Sequence, residues 1–436
     1  MKSEFVLRWP RTVSAIGVLD ALDATGLRVS RTRGRECTEV HWDTQDGALR
    51  AAAATLVHHV EDGTWALASA RESFVEPGSG AAPLPGGQIA AAVLDATRGR
   101  PLIPFLAGTI EEEVFAAVPP RGKPVQVALR RWVFTSPLRP GARARRAFIH
   151  VSGAAAGVNR AARALNELAG CPRTTGPLLE LGLIALRLTA PGKQPAARFQ
   201  LRASDTVAAA FGKLLARQAW AIAATAPGVA TDLDLEYVHD LRVAARRARG
   251  LLRLARLAGV NLEDELAEEL AWLAHACGPL RDLDVFLTWV AAELASAGAA
   301  PEIRDAILLV LSERRRVAFE AARVAVTSPR LGALLALMRR QPPSVPAGSP
   351  GALPVGTVAA TLVGGEVRRL ARWRRHDAAT LTDGEVHRIR IAGKRARYAL
   401  EFFAPVLAPD VRRVVRTLVR VQDTLGAHQD ASFAVG

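Results

Sequence analysis

The chain has 436 residues, and 50% of them are hydrophobic, which is enough to bury more than one core and predicts two or three domains. Lysine and arginine total 57 against 42 acidic residues, and the formal net charge of +15 favours an anionic partner such as nucleic acid, acidic lipid or a phosphate compound. The three cysteines are widely separated, which argues against a disulfide framework and against a zinc site built on paired cysteines.

The N-terminus does not resemble a signal peptide, because Glu4 and Arg8 interrupt the apolar run that such a peptide needs. No stretch of the chain approaches the roughly 18 apolar residues of a membrane span. We therefore expect a soluble, cytoplasmic protein without a membrane span.

Residues 1–192 have the composition of a β-rich domain, with short alternating segments bounded by turns. Thr55 to Ser69 contains two such segments around Asp62-Gly63, a dipeptide that favours a tight hairpin turn because both positions tolerate positive φ. Similar patterns predict strands over 125–134 and 146–153, a helix over 154–168 and a loop over 76–87.

Residues 201–436 instead have the spacing of long α-helices, beginning at about Asp205. Thr231, Asp232 and Asp234 are N-cap candidates for a helix that starts just after them. A segment rich in proline, glycine and serine, about 341–356, separates two helical halves at about 201–300 and 355–436.

The two helical halves share a repeated sequence. VHDLRVAARRARGLLRL begins at Val238, and VHRIRIAGKRARYALEF begins at Val386, an offset of 148. At the same offset, Gly278 and Asp282 of the segment GPLRDLD match Gly426 and Asp430. Matches at one offset predict a duplication and a pseudo-two-fold pair of helical bundles. We expect the GPLRDLD segment to shape and cap a helix junction, and the last helix of the second copy to be short because Gly436 follows so soon.

Each repeated helix places its basic residues on one face. At about 100° per residue, the side chains from His239 to Arg253 that are spaced by three or four fall within an arc of about 80° and extend over roughly 20 Å. Alanines and leucines occupy the opposite face. The second copy repeats this arrangement, except that Glu401 stands where the first copy has Arg253.

A row of like charges destabilises an isolated helix by a few tenths of a kcal/mol per pair, so its repetition suggests a compensating anion. A long, flexible, multiply charged anion suits a row, and inorganic polyphosphate fits, since each arginine can donate two hydrogen bonds to phosphate oxygens. The histidines can donate another, especially when protonated. The predicted polyphosphate-binding residues are His239, Arg242, Arg246, Arg247, Arg249, Arg253, Lys213 and Arg217 in the first copy and His387, Arg390, Lys394, Arg395 and Arg397 in the second.

Other hypotheses are weaker. An arginine-rich helix face is often only a solvated surface, although its duplication argues against that here. Nucleic-acid binding is disfavoured because the repeated helices offer one suitably placed aromatic residue, Tyr398, and therefore no stacking ladder, and no zinc finger or helix-turn-helix is evident. No metal or other cofactor is predicted.

The repeated motifs resemble the CHAD domain, the conserved-histidine α-helical domain, over about 201–436. The resemblance implies an all-α domain of two four-helix bundles around a basic channel that binds polyphosphate, and association with polyphosphate granules. Matched position by position, the residues that would line that channel are His239, Arg242, Arg246, Arg249, His387, Arg390, Lys394 and Arg397. Glu401 and the short last helix depart from the family's pattern.

Residues 1–192 resemble the CYTH domain, which often precedes a CHAD domain and forms an antiparallel β tunnel that hydrolyses triphosphates. The resemblance lies in VHWDTQDGALRAAAATLVHHVEDGTWALAS and in RAFIHVSGAAAGVNRAARALNELAG. The expected fold is therefore α+β: an antiparallel β tunnel or barrel followed by the helical domain.

The CYTH catalytic signature is mostly missing. The family holds its metal with a Glu-x-Glu-x-Lys strand, whereas EFVLR keeps Glu4 but has Val6 and Arg8 at the next two positions. His58 and His59, and the acidic run 111–113, stand where that family has arginines. A strand with one carboxylate cannot fix a divalent ion beside the phosphates in the same way. We therefore expect no enzymatic activity, and a metal-dependent triphosphatase or polyphosphatase is the alternative hypothesis.

Overall fold

The computed structural model describes residues 2–69, 73–77, 87–174, 178–193, 197–260, 262, 264–340, 348–376 and 380–422. Contacts within the chain divide it into two compact units, Met1–Lys193 and Gln194–Gly436. The division falls beside the end of the predicted β domain. Each unit is described separately below.

The first unit is built on one antiparallel sheet, which confirms the predicted β architecture. Its eight strands pair in the linear order β1-β8-β7-β6-β2-β3-β4-β5. The strands are β1 Lys2–Arg8, β2 Arg28–Thr44, β3 Thr55–His59, β4 Thr64–Ala68, β5 Ser73–Pro77, β6 Leu102–Val118, β7 Val125–Thr135 and β8 Ala144–Ala154.

The predicted hairpin is present, but the prediction of a tight two-residue turn is wrong. His59 pairs with Thr64, so four residues, 60–63, connect β3 to β4. Gly63 alone of the predicted dipeptide has positive φ, at 67°. Asp62 instead accepts hydrogen bonds from the backbone and the hydroxyl of Thr64, at 2.9 and 2.5 Å, which closes the loop. Of the predicted loop 76–87, the first two residues end β5, and 78–86 lie outside the described residues.

Helices cover both faces of this sheet. On one face α1 and α4 bury a core that includes Leu7, Leu129 and Ile149. On the other face α5 packs so closely that a Cβ at Gly182 would lie 2.8 Å from the Phe134 ring, and only glycine permits that approach. The helices are α1 Ala15–Asp23, α2 Ala48–Ala51, α3 Gly87–Thr97, α4 Ala155–Glu167, which confirms the helix predicted over 154–168, and α5 Leu178–Ala185.

The second unit is helical, as predicted from the spacing after Asp205. In the first half, α6, α7, α8 and α9 pack as a four-helix bundle, and α10 packs against it. The described part of the second half contains α11, α12 and a helical segment at 411–422. The predicted short last helix lies mostly outside the described residues. The helices are α6 Val207–Thr231, α7 Leu235–Leu257, α8 Asp264–Ser296, α9 Pro301–Thr327, α10 Pro329–Arg339, α11 Val355–Ala371 and α12 Asp383–Phe403.

The ends of α6 and α7 show which of the predicted N-cap residues acts as one. Asp234 is the N-cap of α7 and accepts a hydrogen bond from the Glu236 backbone at 2.8 Å. Asp232 instead ends α6 in the left-handed conformation, with φ of 52°. The predicted junction at GPLRDLD is wrong, because α8 continues through it with Pro279 inside the helix. Neighbouring helices hold α8 together there, although an interior proline removes a backbone hydrogen bond.

The two halves of the repeat contact each other through residues at equivalent positions. Thr206 and Pro354, which differ by the repeat offset of 148, form an isolated antiparallel bridge. The Val207 N–H donates to Leu353 at 2.9 Å, and the Val355 N–H donates to Asp205 at 2.7 Å. Reciprocal contacts of this kind are typical of a two-fold axis, since residue i then contacts j while j contacts i. The predicted pseudo-two-fold relation is therefore present at the starts of α6 and α11.

Candidate anion-binding site

Both repeated helices bury an apolar face, which directs their basic residues to the other side. In α7 the buried positions include Leu241, Ala245 and Ala248. In α12 they include Ala399 and Phe403. A capping box holds the start of α12: Thr382 accepts from the Glu385 backbone, and the Glu385 carboxylate accepts from Thr382.

Arg246 of α7 and Lys394 of α12 are repeat counterparts, and Arg246 lies near enough for its charge to act on Lys394. The pKa of Lys394 is lowered to about 8, first by burial and then by the positive charges of Arg390, Arg246 and Arg397. One of those arginines belongs to the other half of the repeat. The two basic faces therefore converge, and like charges meet where the two halves approach each other.

A second contact between α7 and α12 is an ion pair. Arg247 Nη2 lies 2.6 Å from Glu401 Oε2, and the guanidinium lies over the rings of Tyr398 and Phe402 at 5.3 and 5.4 Å. On the same helix Arg397 Nε lies 3.6 Å from Glu401 Oε1. One carboxylate thus serves arginines from both halves.

Arg217 of α6 belongs to this group by its electrostatics. Surrounding protein atoms and the charge of Arg247 lower its pKa, and Glu401 opposes them. Its side chain is nevertheless open to solvent. Arg217 therefore lies at the edge of the cluster formed by Arg247, Arg397 and Glu401, which we call the Glu401 cluster.

Two other predicted cations are already paired with carboxylates. Arg253 Nη1 lies 2.7 Å from Glu366 Oε1 on α11, and Glu366 is only 1% exposed. Lys213 Nζ lies 2.7 Å from both carboxylate oxygens of Asp205. Arg253 thus joins the two halves, and Lys213 fixes the segment before α6. Their role in anion binding stays a prediction.

Arg242 rests on α8 at the repeated glycine. Its Nη2 lies 3.3 Å from Asp282 Oδ1, and a Cβ at Gly278 would lie 2.8 Å from its Nη1. The Asp282 side chain is 74% exposed, so the pair is weak. Gly278 and Asp282 therefore position Arg242, a role that the sequence analysis did not assign to them.

The repeated histidines differ in environment. His239 is half-buried, and burial together with the charge of Arg281 lowers its pKa. This shift favours the neutral imidazole over the protonated donor considered in the sequence analysis. His387 is exposed.

Several of the predicted cations have no carboxylate within ion-pair distance in the part of the chain that the structure describes. They share the α7 and α12 faces and comprise Arg246, Arg249, Lys394 and Arg395. Sequence reasoning could not separate these from the paired arginines, because the partners Glu366 and Glu401 are distant in the sequence from α7.

In the first unit, Glu4, Val6 and Arg8 share one face of β1, as alternation along a strand requires. The Glu4 carboxylate contacts the His150 ring across the β1–β8 pair. On β6 Glu112 is 3% exposed and bonds Arg35 at 2.9 Å and Arg130 at 2.6 Å. Burial raises the pKa of Glu112, but the hydrogen bonds from these two arginines hold it below the ordinary value.

No group of three or more histidine, cysteine or carboxylate side chains among the described residues is arranged to hold a metal ion. Within the same residues, no single helix combines the length and apolar character of a membrane span. The helices α9 and α10 are long and apolar enough only when they are taken together, and they are bent by 54° where they meet.

Comparison with protein-family models matches residues 213–435 to the CHAD domain. The chain belongs to the CHAD domain family. The match covers α7 and α12 with both copies of the repeated motif, and it confirms the resemblance seen in the sequence. A comparison with curated proteins found no match.

Solved structures similar to this CHAD protein include the CHAD domain of the plant Ricinus communis, at 27% identity over 55% of this chain and 80% of that one, with a TM-score of 0.44. PptA from Streptomyces chartreusis is 21% identical over 53% and 84%, with a TM-score of 0.40. A candidate adenylate cyclase from Bacillus halodurans is 10% identical over 41% and 95%, with a TM-score of 0.28.

Proposed function

We propose that this protein binds inorganic polyphosphate between α7 and α12. The observation that carries the proposal is the convergence of Arg246 and Lys394, repeat counterparts from the two halves, with no carboxylate between them among the described residues. Bringing like charges together beside a partly buried lysine is unfavourable unless an anion offsets it. A polyanion that passes between the two helices would do so.

The chemistry of the lining suits phosphate groups. Arg246 and Arg249 are exposed on α7, and each guanidinium offers parallel N–H donors that match two phosphate oxygens. The cations extend along two helices and do not gather around one point, which suits a linear polyanion better than a single phosphate. Tyr398 is buried and lies beside two arginines, so the site offers no open aromatic surface on which bases could stack.

The direct test is charge reversal at the two converging cations. We expect R246E with K394E to abolish polyphosphate binding, measured by isothermal titration calorimetry with chains of defined length. Binding by the unmodified protein should weaken steeply as salt rises, because phosphate contacts release counterions.

A matched control has the same change in net charge on other helical segments of the unit. Arg314 of α9 and Arg412 of the segment 411–422 are both exposed. R314E with R412E should retain most of the affinity. Equal losses in the two double variants, or stronger binding of duplex DNA than of polyphosphate at the same salt, would contradict the proposal.

A further inference from the structure

The two sides of the α7–α12 site are not equivalent, although the repeat is. The repeat relates Arg246 to Lys394, which differ by 148, and the charge of Arg246 acts on Lys394 across the two halves. The same offset relates Arg247 to Arg395 and Glu401 to Arg253. On one side Arg247 and Glu401 form an ion pair at 2.6 Å. On the other side the corresponding residues are both arginines and cannot pair.

The Glu401 side carries a carboxylate among its cations, and of these cations only Arg217 at the edge is exposed. Arg247 Nη2 lies 2.6 Å from Glu401, and Arg397 Nε lies 3.6 Å from it as an ion pair without a hydrogen bond; the two side chains are only 28% and 22% exposed. A phosphate there would have to displace the Glu401 carboxylate from Arg247. Glu401 would also repel the phosphate, since like charges interact strongly in a partly buried site.

The opposite side is open. Arg249, the counterpart of Arg397, and Arg395, the counterpart of Arg247, are both exposed and have no carboxylate partner among the described residues. Arg253 stands where the second copy has Glu401. It pairs with the buried Glu366 of α11, which fixes the Arg253 guanidinium on this side. Among the side chains that the structure describes, no carboxylate of α7 or α12 is shown paired with Arg249 or Arg395 as Glu401 is with Arg247.

We infer that Glu401 makes the polyanion site one-sided: it occupies Arg247 and Arg397, so that polyphosphate leaves the Arg246–Lys394 centre along Arg249 and Arg395. The inference rests on the proposed function. Glu401 is a specificity-determining residue here, because it limits how many cations a long chain can reach.

The repeat supplies its own matched variants. R249Q and R397Q remove the same charge from counterpart positions. We expect R249Q to weaken the binding of long polyphosphate about tenfold and to reduce the slope of log K against log salt by on the order of 0.7 to 0.9, as the loss of one ionic contact predicts. R397Q should change neither by a comparable amount.

E401Q tests the cause of the asymmetry. It frees Arg247 and Arg397, so we expect tighter binding of long chains, a steeper salt dependence, and an R397Q effect in the E401Q background as large as that of R249Q. E313Q is the control, because it removes a carboxylate from an exposed pair with Arg316 on α9. It should leave the affinity nearly unchanged.

A purely structural role for Glu401 gives a different result. In that case E401Q lowers the thermal stability of the unliganded protein, does not tighten binding, and leaves R249Q and R397Q as they were in the unmodified background. Equal effects of R249Q and R397Q in the unmodified protein would also overturn the inference while leaving polyphosphate binding intact. Absence of polyphosphate binding by the unmodified protein would overturn both.

Discussion

At the scale of single residues, Lys394 gives the site a dependence on pH. Its pKa of about 8 lies below the 10.5 of an exposed lysine, because burial and three arginines disfavour the ammonium. Between these two values the unfolded chain binds more protons than the folded one, so this residue makes folding more favourable as pH rises from about 8 to 10.5. A bound polyanion favours the ammonium and raises the pKa. We therefore expect polyphosphate binding at about pH 9 to take up a proton and to weaken as pH rises.

Calorimetry in two buffers of different ionisation enthalpy measures that proton uptake. K394R is the control, because arginine keeps its charge at pH 9 and retains a cation at the position. The variant should bind polyphosphate with little proton uptake near this pH. Unchanged uptake in K394R would show that another group titrates.

At the scale of helices, Arg315 ties α9 to its neighbours. Its Nε lies 2.7 Å from Asp284 of α8, and Nη1 and Nη2 each lie 2.7 Å from a carboxylate oxygen of Asp232, the residue that ends α6. Burial raises the pKa of Asp284, and Arg315 opposes that shift. Removing the cation leaves a buried carboxylate without its partner. We expect R315M to lower the free energy of unfolding by about 2 kcal/mol, measured by urea denaturation.

R316M is the matched control for that experiment, one position along the same helix. Arg316 pairs with Glu313 on the surface, where both side chains are more than half exposed. Exposed pairs contribute little to stability, so the R316M transition should be close to that of the unmodified protein. Similar losses in the two variants would show that Asp232 and Asp284 are not what makes Arg315 important.

The same scale shows what the sequence can and cannot predict. The 3.6-residue spacing and the repeat offset located α7 and α12 and the face on which their arginines lie, because amphipathic periodicity is local information. The partners of those arginines come from elsewhere in the chain. Glu366 lies on α11 and Glu401 at the end of α12, and only packing of the two halves brings them to Arg253 and Arg247. The basic face of each helix was predictable from the sequence. Which of its cations are paired with carboxylates was not.

Proline and aspartate misled the sequence analysis for a related reason. The GPLRDLD segment was predicted to be a helix junction, but α8 continues through it, with Pro279 inside the helix and α7 and α9 packed against it. Asp232 was a credible N-cap, but it ends α6 and binds Arg315 of α9. In both positions a tertiary contact overrides the local preference.

At the scale of the whole molecule, the basic helical unit accompanies a β unit whose first strand departs from the CYTH pattern. On the β1 face Glu4 is already in contact with His150, and Val6 offers no oxygen where the CYTH pattern has a second carboxylate. Divalent ions need several oxygen ligands to be held beside a phosphate. These departures support the proposal that the protein holds polyphosphate without consuming it.

We therefore expect the full chain to bind polyphosphate without shortening it. The protein would be incubated with tripolyphosphate and with long chains, in Mg²⁺ or Mn²⁺, while free phosphate and chain length are followed over many equivalents. Neither should change beyond the level without protein, because one engaged carboxylate cannot position a metal and its water for in-line attack. E4Q identifies the source of any release that occurs. Sustained turnover that disappears in E4Q would place a working hydrolase site on the β1 face, whereas turnover that persists in E4Q would originate away from that strand.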